Sequence, residues 1–295
     1  MPRIMFLYAL IAGILLGFFY ALMSLGLNLG FGVLQVVNIA HGDIVVLGAY
    51  IAYELSSKAH LNPLLGMLLA VPPAVILGLL IYYAIAPALG KSADPEMLSL
   101  ILFFGISQVI EALETVVFGN NQKTISASSF GSGPVHILGQ AIPREYVLAA
   151  LVSIPVIALV FYYLYRSRLG LATRALMSSR DDAMAVGINV GRTSAISFGI
   201  ALGLAASAGA LSNFILGGTN PTQGVDITTT AFAVIIIGAL GSPAGTLVGG
   251  LVYGLTFQFA QTYAPSWANL VPYLLLLIVM LVKPTGLVGK RVRYA

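Results

Sequence analysis

The chain has 295 residues, 59% of them apolar and only 8% charged, with a formal net charge of +4. Soluble domains are about 45–50% apolar and about 25% charged, so 14 Lys/Arg and 10 Asp/Glu cannot cover a water-soluble globule of this size. Cysteine is absent, which excludes disulfides, a thiolate metal site and a cysteine nucleophile. The basic residues flank apolar runs instead of gathering on one face, so the positive balance is no nucleic-acid signal.

Residues 4–42, 59–90, 146–165, 193–225 and 227–282 contain no Asp, Glu, Lys or Arg. About 20 apolar residues cross the roughly 30 Å hydrocarbon core as a helix, whereas barrel strands are about 10 residues of alternating polarity. The expected fold class is therefore an all-α polytopic membrane protein, forming one transmembrane domain over 1–295. In chain order the spacing predicts helices near 5–26, 63–89, 96–118, 144–165, 193–216 and 266–283, with interrupted apolar regions at 28–57 and 227–262. That makes about eight membrane helices. Arg3 before the first run resembles a signal-peptide start, but the run continues past residue 30 without a small-residue cleavage site, which predicts an uncleaved helix.

Orientation follows the Lys/Arg bias of short loops. Arg166, Arg168, Arg174, Arg180 and Arg192 lie in 166–192, and Lys283, Lys290, Arg291 and Arg293 in the tail. Both segments are expected in the cytoplasm. Counting outward puts 90–96 inside, and the loops 57–62 and 119–143 outside. Each interrupted region then enters from outside and returns there. Irregular backbone at membrane depth needs protein or a wet cavity to satisfy its freed polar groups, and interrupted segments in matching places of two halves point to a transporter's substrate site. The expectation is two pseudo-repeats of the same orientation, 5–89 and 193–283.

Asn38, His41, Gly42 and Asp43 break the first region, and Gly241-Ser242-Pro243-Ala244-Gly245 the second. Ionisable groups inside a membrane mark function by default, so His41 and Asp43 either lock the break through backbone hydrogen bonds or line a translocation path. Glu111 and Glu114 share a helix face and could hold a cation or bind an amine. However, Glu111 lies about 15 residues, roughly 22 Å, beyond the inner boundary, where a solvated carboxylate at the outer interface is expected. Small residues recur every fourth position at Gly13/Gly17/Ala21, Gly199/Gly203/Ser207 and Gly241/Gly245/Gly249, the spacing of close helix packing. Gly90-Lys91-Ser92 lacks the earlier glycine of a phosphate-binding loop, Ile85 standing there, so no ATP-hydrolysing motif is visible. The polar stretch Ala172–Val186 reads as one short helix, with Asp181 and Asp182 near its middle and Gly187 as its C-cap. It faces water or a soluble partner.

The run from Arg174 through Asp181, Asp182 and Gly187 to Asn189 resembles the segment by which ABC-importer permeases contact their ATPases, most closely that of the branched-chain amino acid (LIV-type) permeases of the H type. Similar to the same family are Asn38-Ile-Ala-His41-Gly42-Asp43 with Leu47-Gly48-Ala-Tyr50, and Ala231-Phe232 with Gly238-Ala-Leu-Gly241-Ser242-Pro243-Ala-Gly245. The ending Lys283-Pro284-Thr285-Gly286-Leu287 matches as well. The resemblance implies a coupling helix over Ala175–Ile188, with Arg174, Ala175, Asp181, Asp182, Ala183, Gly187 and Ile188 as coupling residues. It implies a substrate path along Asn38–Asp43 and along Gly238, Gly241, Ser242, Pro243 and Gly245. Implied partners are a second permease, two ATP-binding subunits that hold ATP and magnesium, and an external solute-binding protein, with no cofactor in this chain. The implied cargo is a branched-chain or other neutral amino acid, urea or short amides being the alternative, in a bacterial inner membrane. Ser179-Arg180-Asp181 stands where the generic motif opens with Glu-Ala-Ala. A stand-alone channel or ion-coupled transporter using His41, Asp43, Glu111 and Glu114 is the competing class.

Overall fold

The computed structural model describes residues 2–59, 61–125 and 133–289. Within them the chain is almost wholly helical: α1 Pro2–Leu34, α2 His41–Lys58, α3 Pro63–Leu89, α4 Pro95–Phe118, α5 Arg144–Arg166, α6 Arg168–Ser178, α7 Arg180–Ala185, α8 Val190–Ile215, α9 Gly224–Gly238, α10 Pro243–Tyr263 and α11 Val271–Val282. A short hairpin, β1 Val135–Ile137 with β2 Gln140–Ile142, sits in the loop before α5. All eight apolar regions become helical. Six helices among the described residues are long and apolar enough to cross a bilayer, and α9 with α10 forms a seventh unit bent by 114°. Helix α2, carrying His41, Asp43, Glu54 and Lys58, is not one of these spans.

Small residues set the packing. A Cβ placed on Gly13 would lie 2.9 Å from the Leu255 Cα, and one on Gly17 would lie 2.8 Å from the Leu251 Cα. These pairs fall in antiparallel register, so α1 and α10 lie backbone to backbone, as small residues permit in lipid. Helix α8 is the hub: its apolar window is 89% buried, against 17% for α4. Its Gly199 and Gly203 pack on Val75 and Val71 of α3, and its Gly209 on the Val45 carbonyl of α2.

Two expectations are corrected here. The first helix does not end near residue 26; α1 continues 33 residues to Leu34, about 50 Å, because Asn28 finds partners on another element. The break is Gln35–Ala40, with Gln35 at φ +56°, and His41, Gly42 and Asp43 form the first turn of α2. Nor is 172–186 one helix. Ser179 is extended, at φ −156° and ψ 120°, so it closes α6 and accepts from the Asp182 N–H to cap α7. Of the basic tail, Lys290, Arg291 and Arg293 lie outside the described residues.

The two ends of the bundle are tied separately. Lys123, after α4, exchanges backbone hydrogen bonds of 2.9 and 2.8 Å with Thr219, after α8. At the opposite end, a Cβ on Gly32 would meet Met177 of α6 at 2.4 Å and the Gly241 Cα at 3.4 Å.

Candidate functional site

The two breaks brace one another. Thr228 Oγ1, on α9, accepts from the Gly42 N–H at 2.8 Å and donates to the Ile39 carbonyl at 3.0 Å, closing the first break. Reciprocally, Asn28 on α1 closes the second. Its amide donates to the Ser242 carbonyl at 2.8 Å and to Thr246 Oγ1, and its oxygen accepts from the Gly241 N–H at 2.6 Å. Ser242 Oγ caps α10 through the Gly245 N–H, and Pro243 occupies the first turn. The last carbonyls of α9, which a helix end leaves orphaned, are met by the tail: Leu287 N–H donates to Ile237 and Val288 N–H to Gly238, at 2.8 and 2.9 Å. His41 Nε2 donates to the Met23 carbonyl at 2.9 Å, with the ring 1% exposed. Asn38 is buried at the same turn, its Oδ1 without a hydrogen-bond partner.

Asp43 and Glu114 are each 1% exposed; the Ser107 hydroxyl is the hydrogen-bonding neighbour of Asp43, and Glu114's carboxylate oxygens have no hydrogen-bond partner among the described residues. The Gly224 backbone presses on Asp43: a Cβ there would stand 1.8 Å from Oδ1. Ser107 and Glu111 of α4 lie near Asp43, and Tyr50 of α2 lies near Glu114. Glu114 is thus not solvated at the outer interface. Ser99, Phe103, Ser107 and Glu114 fall on one stripe of α4, and that stripe is the face it buries; Glu111 sits at its edge, half-buried. The serines were the available signal, since small polar residues in phase with a glutamate mark a packed face and not a lipid-facing one.

A cavity of about 570 Å³ opens between α1, α9, α10 and the start of α11, within the size range of small-molecule sites. Its walls include Tyr20 and Met23 of α1, Asp226 and Thr230 of α9, and Tyr253 and Phe257 of α10. Tyr20 meets Tyr253 edge-on at 4.7 Å, and Tyr253 stacks on Phe257 at 5.9 Å. None of Asn38–Asp43 or Gly238–Gly245 lines it. His41 reaches the cavity wall through its bond to Met23. Sequence reasoning passed over Asp226, although it is the sole charged residue between Arg192 and Lys283.

The segment 166–192 is rigidly seated. Arg174 stacks on Tyr165 at 4.3 Å and donates from Nε to the Leu164 carbonyl at 2.9 Å, so it fastens α6 to the end of α5. Thr173 Oγ1 bonds Ser197 Oγ of α8 at 2.9 Å. Ala183 is buried, Ala175 and Ile188 half-buried, and Asp181, Asp182 and Gly187 exposed. Gly187, at φ +83°, lets the Ile188 N–H return to the Ala183 carbonyl and end α7. Met184 and Val186 stand 50% and 76% exposed beside the two aspartates, an apolar and acidic tip on an otherwise anchored element.

Residues 9–280 match the family described as branched-chain amino acid transport system / permease component. The chain is 29% identical over 301 residues to the high-affinity branched-chain amino acid transport system permease protein BraD of Pseudomonas aeruginosa, covering 98% of each chain. It is 27% identical over 301 residues to LivH of Escherichia coli K12, covering 97% of this chain and 96% of that protein. With the probable LivH permease of Methanocaldococcus jannaschii it shares 26% identity over 287 residues, covering 91% and 88%. No solved structure matches the chain. These relatives are transport permeases and not enzymes, and a match from the first third of α1 almost to the end of α11 makes this chain a member of the branched-chain amino acid permease family.

Proposed function

We propose that this chain is the membrane-spanning permease subunit of an ATP-driven importer that moves branched-chain or other neutral amino acids. The observation that carries this reading is the contact of Met177, on α6, with Gly32 at the end of α1, where Gly32 also meets Gly241 in the second break. A push on the exposed tip of α7 is thereby delivered to α1 and, through Asn28, to the bend between α9 and α10. In the proposed arrangement, Asp181, Asp182, Met184 and Val186 dock one of two cytoplasmic ATP-binding subunits, which hold ATP and magnesium. Arg174, Ala175, Ala183, Gly187 and Ile188 keep that tip in shape. A second homologous permease completes the pathway, and an external solute-binding protein delivers cargo.

The positive-inside bias supports a bacterial plasma-membrane location with the tail in the cytoplasm. Within this mechanism Asn38–Asp43 and Gly238–Gly245 are the frame that repositions the cavity walls as the bundle rocks. Liposomes holding the permease pair, with and without ATP-binding subunits, binding protein and ATP, test the reading. Leucine uptake that requires all of them is expected. Uptake by the permease alone on an ion gradient would overturn it in favour of an ion-coupled carrier, and urea uptake without leucine uptake would replace the cargo.

A further inference from the structure

Resting on that reading, we infer that the cavity between α1, α9 and α10 is a recognition site for aliphatic compounds bearing an ammonium group. Asp226 receives the ammonium, and Tyr20, Tyr253 and Phe257 seat the aliphatic chain. Three observations on the molecule carry this. The cavity, at about 570 Å³, has room for a small solute. Asp226 is the one charge within the 90 residues 193–282, and it is exposed at the wall of that cavity, whose lining also holds the buried rings of Tyr20 and Tyr253, at 4% and 2% exposure. Asp226 stands in the first turn of α9 and lines the cavity, and aromatic faces in the same lining favour a cationic head on an apolar body.

The lining holds no lysine and no arginine. A carboxylate therefore meets only neutral donors, such as Thr229, Thr230 and Asn269, whereas an ammonium meets a full opposite charge. The site thus selects for the amine end of an amino acid and is indifferent to its acid end. This asymmetry is the specific content of the inference: leucinol, which keeps the amine, fits the cavity, and 4-methylvalerate, which keeps only the carboxylate, does not.

Displacement of radiolabelled leucine from the full permease–ATPase complex in nanodiscs, without binding protein, reads the selectivity. Leucinol is expected to displace and 4-methylvalerate to fail. Asp226→Asn is expected to weaken leucine binding by about ten- to a hundredfold, the worth of one hydrogen bond to a charged group, and Asp226→Glu to restore most of it. In liposomes, Asp226→Asn is expected to depress leucine uptake, and Asp226→Glu to restore most of it. Equal displacement by both analogues, or wild-type uptake in Asp226→Asn, overturns the inference and leaves the importer reading standing. Failure of the wild-type complex to move leucine overturns the importer reading and this inference with it.

Discussion

A methyl group added at Gly42 would sit 1.8 Å from the Gly224 carbonyl oxygen and 2.5 Å from Thr228 Oγ1. Neither can retreat, since one is backbone and the other holds the first break. Gly42→Ala is therefore expected to abolish monodisperse, membrane-inserted protein on size exclusion in detergent. Gly105→Ala on α4, with nothing within 4 Å of the added Cβ, is expected to leave it intact. Asn28 and Thr228 each satisfy buried backbone groups on the opposite break, so Asn28→Ala and Thr228→Val are each expected to cost about 1–3 kcal/mol. Detergent-resistance midpoints would measure this, and a double-mutant cycle should give non-additive losses, since each variant loosens the element the other holds. At this scale the sequence exposed the glycine spacing and the His41–Asp43 cluster. It concealed the partners, because residues 28 and 242, or 42 and 228, are brought together only by the fold.

Whether a segment is helical was readable from apolar length alone, and all eight apolar regions obeyed it. Element ends were harder. Asn28 and Gly30 made α1 look finished, yet a polar side chain inside a helix is tolerated when another element supplies its hydrogen bonds, as Ser242, Thr246 and Gly241 do. Ser179 shows the reverse case: a serine amid helix formers reads as solvated helix, whereas its side chain caps a new one. Ser179→Ala is expected to lower stability by about 1 kcal/mol and to halve or worse the ATPase stimulation by loaded binding protein, with insertion unaffected. Gly187→Ala, forced to hold φ +83° with a Cβ, is expected to uncouple hydrolysis from uptake in the same assay. Normal coupled uptake in either variant would remove the docking role from α7.

For the whole molecule, the permease reading predicts that no preparation of this chain alone concentrates solute. Flux assays on proteoliposomes under imposed proton and sodium gradients check it, and gradient-driven leucine accumulation would count against it. Composition, charge-free runs and four ordered motifs were sufficient for class, membrane residence and family, because the cost of burying charge in hydrocarbon is paid residue by residue and is visible in one dimension. Only the tertiary structure decided that Glu114 is buried, that Arg174 holds α6 to α5, and that the cavity is walled by Tyr20, Asp226 and Tyr253. The reason is physical: in lipid every helix is apolar on most faces, so hydrophobic pattern no longer tells the packed face from the exposed one. Close approach at glycines and a handful of polar contacts between distant residues make that choice.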